Sequence, residues 1–166
     1  MAHDAASEAD WGRVIDDIRQ RFGRLDVLFN NAGILLKGDI ENTDYADWQQ
    51  VQRVNSDSVF LGCRAAIGLM KEGAGGSIIN MSSIAGVAGR DDYAAYSASK
   101  GAVAALSRSV AVLCRRRKYR IRCNSLHPDG ILTPMTVESF PAGLDPLSLT
   151  IDADPMFRMC LPEDVA

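Results

Sequence analysis

Two hydrophobic periods alternate along the chain, and their order is the first indication of its fold. Apolar side chains recur at helical spacing over residues 11–18, behind Ser7, which is a typical helix N-cap with Asp10 three residues later. Residues 25–29 then form a short apolar run that Asn and Gly close, as expected for a buried strand and its turn. The N-terminal part is therefore predicted to be a helix followed by a strand.

The same alternation continues through most of the chain. Helical patterns cover residues 44–71 and 93–114, and strand patterns cover residues 77–82 and 119–128. The order helix, strand, helix, strand, helix, strand predicts a parallel sheet with helical crossovers, an α/β fold. Residues 132–161 lose this pattern and are expected to form a long loop with short helices.

Composition limits the class of protein. The chain has 166 residues, of which 47% are hydrophobic and 23% charged, as in one soluble globular domain. Its formal charge of -3 argues against nucleic acid as a partner, because phosphate contacts require clustered Lys and Arg. The basic run at residues 114–120 falls at a predicted helix end, where cations complement the helix dipole.

The N-terminus and the cysteines bear on location. The first residues lack the basic and apolar regions of a secretory signal, and no apolar run is long enough to span a membrane, so no membrane partner is predicted. The four cysteines show no CxxC spacing and are expected to be free thiols in the cytoplasm. No metal site is predicted.

Candidate binding residues follow the predicted strands. In an open α/β sheet, ligands bind beyond the carboxyl ends of the strands. The segments at these ends are residues 30–33, 82–86 and 127–135, all polar or rich in Gly and Pro. We therefore expect them to converge on one site.

Tyr96 and Lys100 lie four residues apart on the third predicted helix and so share one face. A tyrosine, with an ordinary pKa near 10, is a useful acid or base at neutral pH only when a nearby cation favours its anion. Lys100 is expected to supply that cation, and a serine from the preceding strand can polarise the same substrate oxygen. Such a trio suits proton transfer at a carbinol oxygen while a hydride moves at the carbon.

Several motifs in this order resemble the short-chain dehydrogenase/reductase family. They are "NNAG", an Asn in "RVNSDSVF", a Ser thirteen residues before the Tyr of "YSASK", and "IRCNSLHPDGILTPM". The chain is most similar to the bacterial 3β/17β-hydroxysteroid dehydrogenases of that family. The resemblance implies a three-layer Rossmann-type fold and NAD(P)-dependent interconversion of a secondary alcohol and a ketone.

The resemblance also implies roles for single residues. Tyr96 would be the general acid/base, Lys100 would lower its pKa and hold the nicotinamide ribose, and Ser83 would bind the substrate oxygen. Asn55 would complete a proton relay through a water. The implied cofactor contacts, besides Tyr96 and Lys100, are Asp4, Asn31, Ala32, Gly33, Pro128, Gly130, Ile131 and Thr133.

Each of these residues also has a plainer interpretation. Taken alone, Asn55 is a polar helix residue, Ser83 and Thr133 are loop hydroxyls, and Asp4 belongs to a frayed terminus. Together these interpretations require several independent coincidences of residue type and spacing. The functional interpretation is therefore favoured.

One departure from the family is large. The Gly-rich motif T-G-x-x-x-G-x-G is absent, so the first three strands of the fold, and also its last strand, are expected to be missing. Residues 1–166 would then be a single partial domain. Without the neighbouring strand, the edge of the first predicted strand would be exposed, and cofactor binding by these residues alone would be weak.

Two hypotheses follow. The first is a dehydrogenase that uses NAD or NADP, with NAD favoured by the subfamily resemblance, acts on a hydrophobic cyclic substrate such as a hydroxysteroid, and forms a homo-oligomer. Residues 132–161 would cover that substrate, and their apolar members are Met135, Phe140, Leu144, Leu147, Leu149, Met156 and Phe157. The second is a non-catalytic remnant that acts only as an oligomerisation or interaction module through its long helices.

Overall fold

The computed structural model describes residues 2–138, 140, 143–150 and 158–165. The chain divides into two compact units, Met1–His127 and Pro128–Ala166. The first unit contains all the predicted helices and strands of the α/β pattern. The expectation that residues 1–166 form a single partial domain stays a prediction.

The first unit is built on a parallel three-stranded sheet. Its strands are β1 (Val27–Asn30), β2 (Gly76–Met81) and β3 (Ile121–Leu126), and they lie in the order β1-β2-β3. Parallel pairing of consecutive strands requires the helical crossovers that the alternating pattern predicts. The predicted α/β class with a partial Rossmann-type sheet is confirmed.

Helices connect the strands and follow the predicted stripes closely. The first, α1, begins where the Asp10 amide donates to the Ser7 hydroxyl at 3.3 Å, so the predicted N-cap is correct. None of the helices in the described ranges combines the length and hydrophobicity needed to cross a membrane. The helices of the first unit are α1 (Glu8–Phe22), α2 (Tyr45–Gln52), α3 (Ser58–Met70) and α4 (Ala94–Arg117).

The predicted long helix over residues 44–71 is interrupted. A π-helical segment, Arg53–Asp57, separates α2 from α3, and the Ser58 amide bonds the Arg53 carbonyl five residues earlier. The widened turn contains Asn55, whose side chain bonds the main chain of Ile34. Hydrophobic spacing does not reveal such a turn, because the buried stripe continues on both sides of it.

The core lies between the sheet, α3 and α4. Central strand β2 contributes Ile78, which has no exposed surface. The buried cluster consists of Val59, Cys63, Ala66, Met70, Ile78, Val103, Val110, Cys114, Ile121 and Cys123. All four cysteines of the chain are free, with Cys160 exposed and the other three buried.

A polar ladder crosses this core. Asn30 and Asn80 are register partners on β1 and β2, and the Asn30 amide donates to Asn80 Oδ1 at 2.8 Å. The Asn80 amide donates in turn to the Ser107 hydroxyl on α4 at 2.9 Å. Buried amides of this kind are stable only when they are bonded, so the ladder holds the carboxyl ends of β1 and β2 against α4.

Strand β1 has an open face and an open edge. Among the described residues it pairs with β2 alone, and Val27 and Phe29 are 56% and 50% exposed. An apolar strand with unpaired main-chain groups on one side can recruit another strand. This is the exposed edge that the sequence predicts.

The second unit contains short helical turns. They are α5 (Pro134–Val137) and two 3-10 turns, Pro146–Leu149 and Pro162–Asp164, as the irregular pattern of residues 132–161 suggests. A single bridge pairs Ile131 with Cys160. Of the predicted substrate-covering residues, Met156 and Phe157 and the side chain of Leu147 lie outside the described residues.

Candidate active site

The turn after β2 carries two serines with different partners. The Ser82 hydroxyl donates to the Lys100 carbonyl at 2.8 Å, which ties the turn to α4. Ser83 caps the 3-10 turn Ile84–Gly86, and its hydroxyl oxygen accepts the Ala85 amide at 3.1 Å. Because that oxygen already accepts one bond, the Ser83 proton is available to a second group.

Helix α4 presents Tyr96 and Lys100 on the same face. Lys100 Nζ lies 5.4 Å from the centroid of the Tyr96 ring. The Lys100 side chain is deeply buried, with 4% of the residue exposed, and Nζ donates to the Met81 carbonyl at 2.9 Å. No carboxylate forms an ion pair with Lys100 in the described part of the chain, so the site holds a buried ammonium with donors to spare.

Burial shifts the pKa values of these two residues in opposite directions. Burial raises the pKa of the Tyr96 phenol, and a hydrogen bond with the Ser83 side chain opposes the rise. Burial also lowers the pKa of Lys100 to about 8. The role of Lys100 in lowering the Tyr96 pKa stays a prediction.

Asn55 links the turn after β1 to α4. Its Oδ1 accepts the Ile34 amide at 2.8 Å, and its Nδ2 donates to the Ile34 carbonyl at 2.9 Å and to the Ser99 hydroxyl at 3.0 Å. The Ser99 hydroxyl donates to the Tyr96 carbonyl at 2.7 Å. Asn55 is fully buried, so its position is determined by these contacts rather than by solvent.

Gly33 lies next to both Asn55 and Lys100. A Cβ on Gly33 would be 3.4 Å from Asn55 Oδ1 and 3.5 Å from Lys100 Nζ. Asn31 and Ala32, which precede it after β1, are exposed. The turn after the first strand therefore reaches the Tyr96 and Lys100 face, as its sequence position predicts.

Asp4 makes several contacts in the N-terminal region. Its carboxylate pairs with Arg53 at 2.6 Å and accepts the Ala6 amide at 2.9 Å, while its own amide donates to Asp10 at 2.9 Å. The contact with Arg53 joins the N-terminus to the π-helical segment. The contact of Asp4 with a cofactor stays a prediction.

The remaining predicted cofactor residues belong to the second unit. The Cys160 amide donates to the Gly130 carbonyl at 2.9 Å, and Ile131 forms the bridge to Cys160. Thr133 caps α5, and its amide donates to the Thr136 hydroxyl at 3.1 Å. Pro128 begins the unit.

Sequence reasoning missed two residues that contact the site. Ser99 joins Asn55 to the main chain of Tyr96, and the His127 ring contacts the Ser83 carbonyl. Ser99 lies in "YSASK" and His127 in "LHPD", so both belong to motifs that carry the family resemblance. Only the three-dimensional contacts distinguish them from their neighbours.

The chain matches known proteins over its whole length. A family model with the description "Enoyl-(Acyl carrier protein) reductase" matches residues 1–166. That model represents the short-chain dehydrogenases/reductases, and this chain belongs to that family.

Named relatives agree with this assignment. The chain is 51% identical to the 3-beta-hydroxysteroid dehydrogenase of Comamonas testosteroni, over 87% of this chain and 56% of that protein. It is 39% identical to the NADP-dependent (R)-specific alcohol dehydrogenase of Lentilactobacillus kefiri, over 100% of this chain and 66% of that protein. The crystal structure of levodione reductase superposes with a TM-score of 0.78 at 34% identity, over 84% of this chain and 54% of that chain. The chain thus spans between half and two thirds of the length of these relatives.

Proposed function

We propose that this chain carries the proton-transfer machinery of an NAD(P)-dependent oxidoreductase that interconverts a secondary alcohol and a ketone. The observation that carries the proposal is the grouping of a serine hydroxyl, a tyrosine phenol and a buried ammonium around one end of the sheet. These groups come from Ser83, Tyr96 and Lys100. Membership of the family supports the same reaction class.

Each side chain has a distinct role in this proposal. The Tyr96 phenol donates a proton to a ketone oxygen, or its phenolate takes one from an alcohol. The Ser83 hydroxyl holds the same oxygen and stabilises the phenolate. Lys100 supplies positive charge beside the ring, and Asn55 holds the turn that contains Gly33 against it.

The surroundings of Lys100 fit a dinucleotide. An ammonium has three donors, and the described residues offer Lys100 Nζ one hydrogen-bond acceptor, the Met81 carbonyl. Gly33 lies close to Lys100 Nζ and has no side chain that would occupy the space beside it. The ribose hydroxyls of NAD or NADP would be held by Lys100 and Tyr96. The adenosine side would be held by Asn31, Ala32, Gly33 and Asp4. The nicotinamide would be held by Pro128, Gly130, Ile131 and Thr133. The bound nicotinamide supplies or accepts the hydride.

For the substrate, a hydrophobic cyclic alcohol such as a hydroxysteroid is proposed. The support is the 51% identity to a 3-beta-hydroxysteroid dehydrogenase and the apolar residues that residues 132–161 contribute. NAD is favoured by the same resemblance, whereas the Lentilactobacillus kefiri relative is named as NADP-dependent. Binding of both dinucleotides is therefore to be measured.

The test combines binding and turnover. The 166-residue chain is titrated with NADH and NADPH by fluorescence, beside a chain extended upstream where the coding DNA provides one, and both are assayed with a 3β-hydroxysteroid and NAD. Tyr96→Phe should abolish turnover, because it removes the proton donor, and should weaken dinucleotide binding by only a few fold, because Lys100 still holds the ribose. Tyr45→Phe, at an exposed tyrosine, is the matched control. Equal turnover by Tyr96→Phe and the parent chain would refute the proposal.

A homo-oligomer in the cytoplasm is proposed as the working state. An apolar groove of about 480 Å³ lies between α3 and α4, with Phe60 46% and Val112 57% exposed. A surface of this kind favours contact with another chain. The free cysteines fit a reducing compartment.

The same groove also supports the second candidate function, a non-catalytic interaction module. Sedimentation of the parent chain and of Phe60→Glu and Val112→Glu variants measures association. Association together with turnover supports the dehydrogenase. Association without dinucleotide binding, in the extended chain as well, would favour the interaction module.

A further inference from the structure

The imidazole of His127 lies between the ends of β2 and β3. Its Nδ1 is 3.2 Å from the Ser83 carbonyl oxygen, and its Nε2 is 2.9 Å from the Ser125 hydroxyl. His127 follows β3 directly, and Ser83 follows β2 after one residue. The ring therefore connects two strand ends through a side chain.

These contacts determine which nitrogen carries the proton. A carbonyl oxygen only accepts hydrogen bonds, so Nδ1 carries a hydrogen and donates it to the Ser83 carbonyl. In the neutral ring, Nε2 then accepts the hydroxyl proton of Ser125.

The ring continues the β2 and β3 ladder beyond its last main-chain bond. That bond runs from the Ser82 amide to the Leu126 carbonyl, at 2.9 Å. One residue further along each strand, the His127 side chain replaces the main chain as the donor. The Ser83 carbonyl also accepts the Gly86 amide at 3.0 Å, so it receives hydrogen bonds from two elements.

We propose that His127 is a positioning residue: by holding the Ser83 carbonyl against the end of β3, it keeps the Ser83 hydroxyl directed at Tyr96. The position of the Ser83 main chain affects the direction of its hydroxyl proton. The hydroxyl oxygen accepts the Ala85 amide, so the direction of its own proton depends on the orientation of the turn. Rotation of the Ser83 peptide would turn that proton away from Tyr96.

This inference rests on the proposed function, and one readout separates the two. The Ser83 hydrogen bond opposes the burial that raises the pKa of Tyr96. Loss of the Ser83 orientation should therefore raise the Tyr96 pKa further, with or without turnover.

The experiment compares the full parent chain with four variants. His127→Phe keeps a ring but removes both hydrogen bonds, and His127→Asn places an amide donor close to the position of Nδ1. Ser125→Ala keeps the imidazole but removes its second partner, and serves as the perturbing variant where the Phe variant does not fold. His3→Phe is the control, because His3 stacks edge-on against Trp11 in the N-terminal region.

Two quantities are measured. Titration of Cζ-labelled tyrosine by NMR, with the Tyr96 signal assigned from Tyr96→Phe, gives the Tyr96 pKa. Steady-state kinetics give kcat and the KM for the dinucleotide. His127→Phe should raise the Tyr96 pKa, lower kcat by about 10- to 100-fold and leave this KM within about two-fold, since misplacement of a catalytic group affects the chemical step.

The variants should differ in the size of their effects on kcat and on the Tyr96 pKa. His127→Asn should restore most of kcat and the parent Tyr96 pKa, Ser125→Ala should give a smaller change in the same direction, and His3→Phe should give none. An unchanged Tyr96 pKa in both His127→Phe and Ser125→Ala would overturn the inference. So would a loss of kcat that His127→Asn does not restore. Absence of turnover in both the parent chain and the chain extended upstream would refute the proposed function, while the NMR titration would still decide the role of His127.

Discussion

Gly86 and Lys100 meet backbone to backbone: a Cβ on Gly86 would lie 2.7 Å from the Lys100 carbonyl carbon and 2.8 Å from its oxygen. Side chains do not approach main-chain atoms so closely. The turn that follows Ser83 and the helix that carries Tyr96 therefore share a contact that only glycine permits. That contact holds the turn after Ser83 close to α4.

Gly86→Ala should separate the turn from α4. We expect kcat to fall by about 10- to 100-fold and the free energy of unfolding to fall by about 1–3 kcal/mol, because an extra methyl group in a closed contact displaces main chain. Gly89→Ala is the matched control, since a Cβ there meets nothing within 4 Å. Equal losses in the two variants would show that the Gly86 contact is not responsible.

Lys100→Met should stabilise the chain while it abolishes turnover. The pKa of Lys100 is lowered by burial from 10.5 to about 8. The unfolded chain thus binds more protons between these two values, so the burial penalty is fully present below pH 8 and disappears as the pH rises to about 10.5. A shift of this size corresponds to a penalty of about 3 kcal/mol. The gain in Lys100→Met is smaller than this, because the Met81 carbonyl loses its hydrogen-bond donor.

Thermal unfolding of Lys100→Met at pH 7 and pH 10 measures this effect. The Tm difference from the parent chain should be positive at pH 7 and smaller at pH 10. Lys71→Met, at an exposed lysine, should change little at either pH. A lower Tm for Lys100→Met at pH 7 would contradict the burial penalty.

Asn55→Ala should weaken both stability and turnover. The substitution leaves the Ile34 amide and carbonyl without their side-chain partner, and each buried unsatisfied group costs about 1–3 kcal/mol. Urea unfolding should show a loss of at least about 2 kcal/mol. Asn124→Ala, at an exposed position on β3, is the control and should lose much less.

The contact between Asn30 and Asn80 should be cooperative. A double-mutant cycle with Asn30→Ala and Asn80→Ala isolates the 2.8 Å amide bond between them. The expected coupling free energy is about 1 kcal/mol, as for a buried neutral hydrogen bond. Strictly additive losses would mean that the two amides are satisfied independently.

Periodic features of this fold could be predicted from the sequence. The helices and strands repeat apolar residues at regular spacing, and four residues on a helix necessarily place Tyr96 and Lys100 on one face. The strand ends carry the polar turns, as the order of elements predicts. Confirmed predictions of this kind depend only on local spacing and on the topology of parallel sheets.

The missed features depend on single long-range contacts. The π-helical segment is one turn inside an otherwise regular stripe, and its Asn55 is held by Ile34, which is distant in sequence. The raised pKa of Tyr96 depends on how deeply the packed helix buries the phenol, and spacing contains no measure of depth. The His127 contact depends on the relative register of β2 and β3, which no local pattern specifies.

The unequal exposure of the four cysteines offers a way to observe the second unit directly. Cys160 is exposed, whereas Cys63, Cys114 and Cys123 are buried, and burial raises the pKa of Cys114. A maleimide fluorophore or nitroxide should therefore react first at Cys160, without any engineered residue. Because Cys160 is joined to Gly130 and Ile131 through its main chain, a label there would report spectroscopically when this segment responds to a dinucleotide or a steroid.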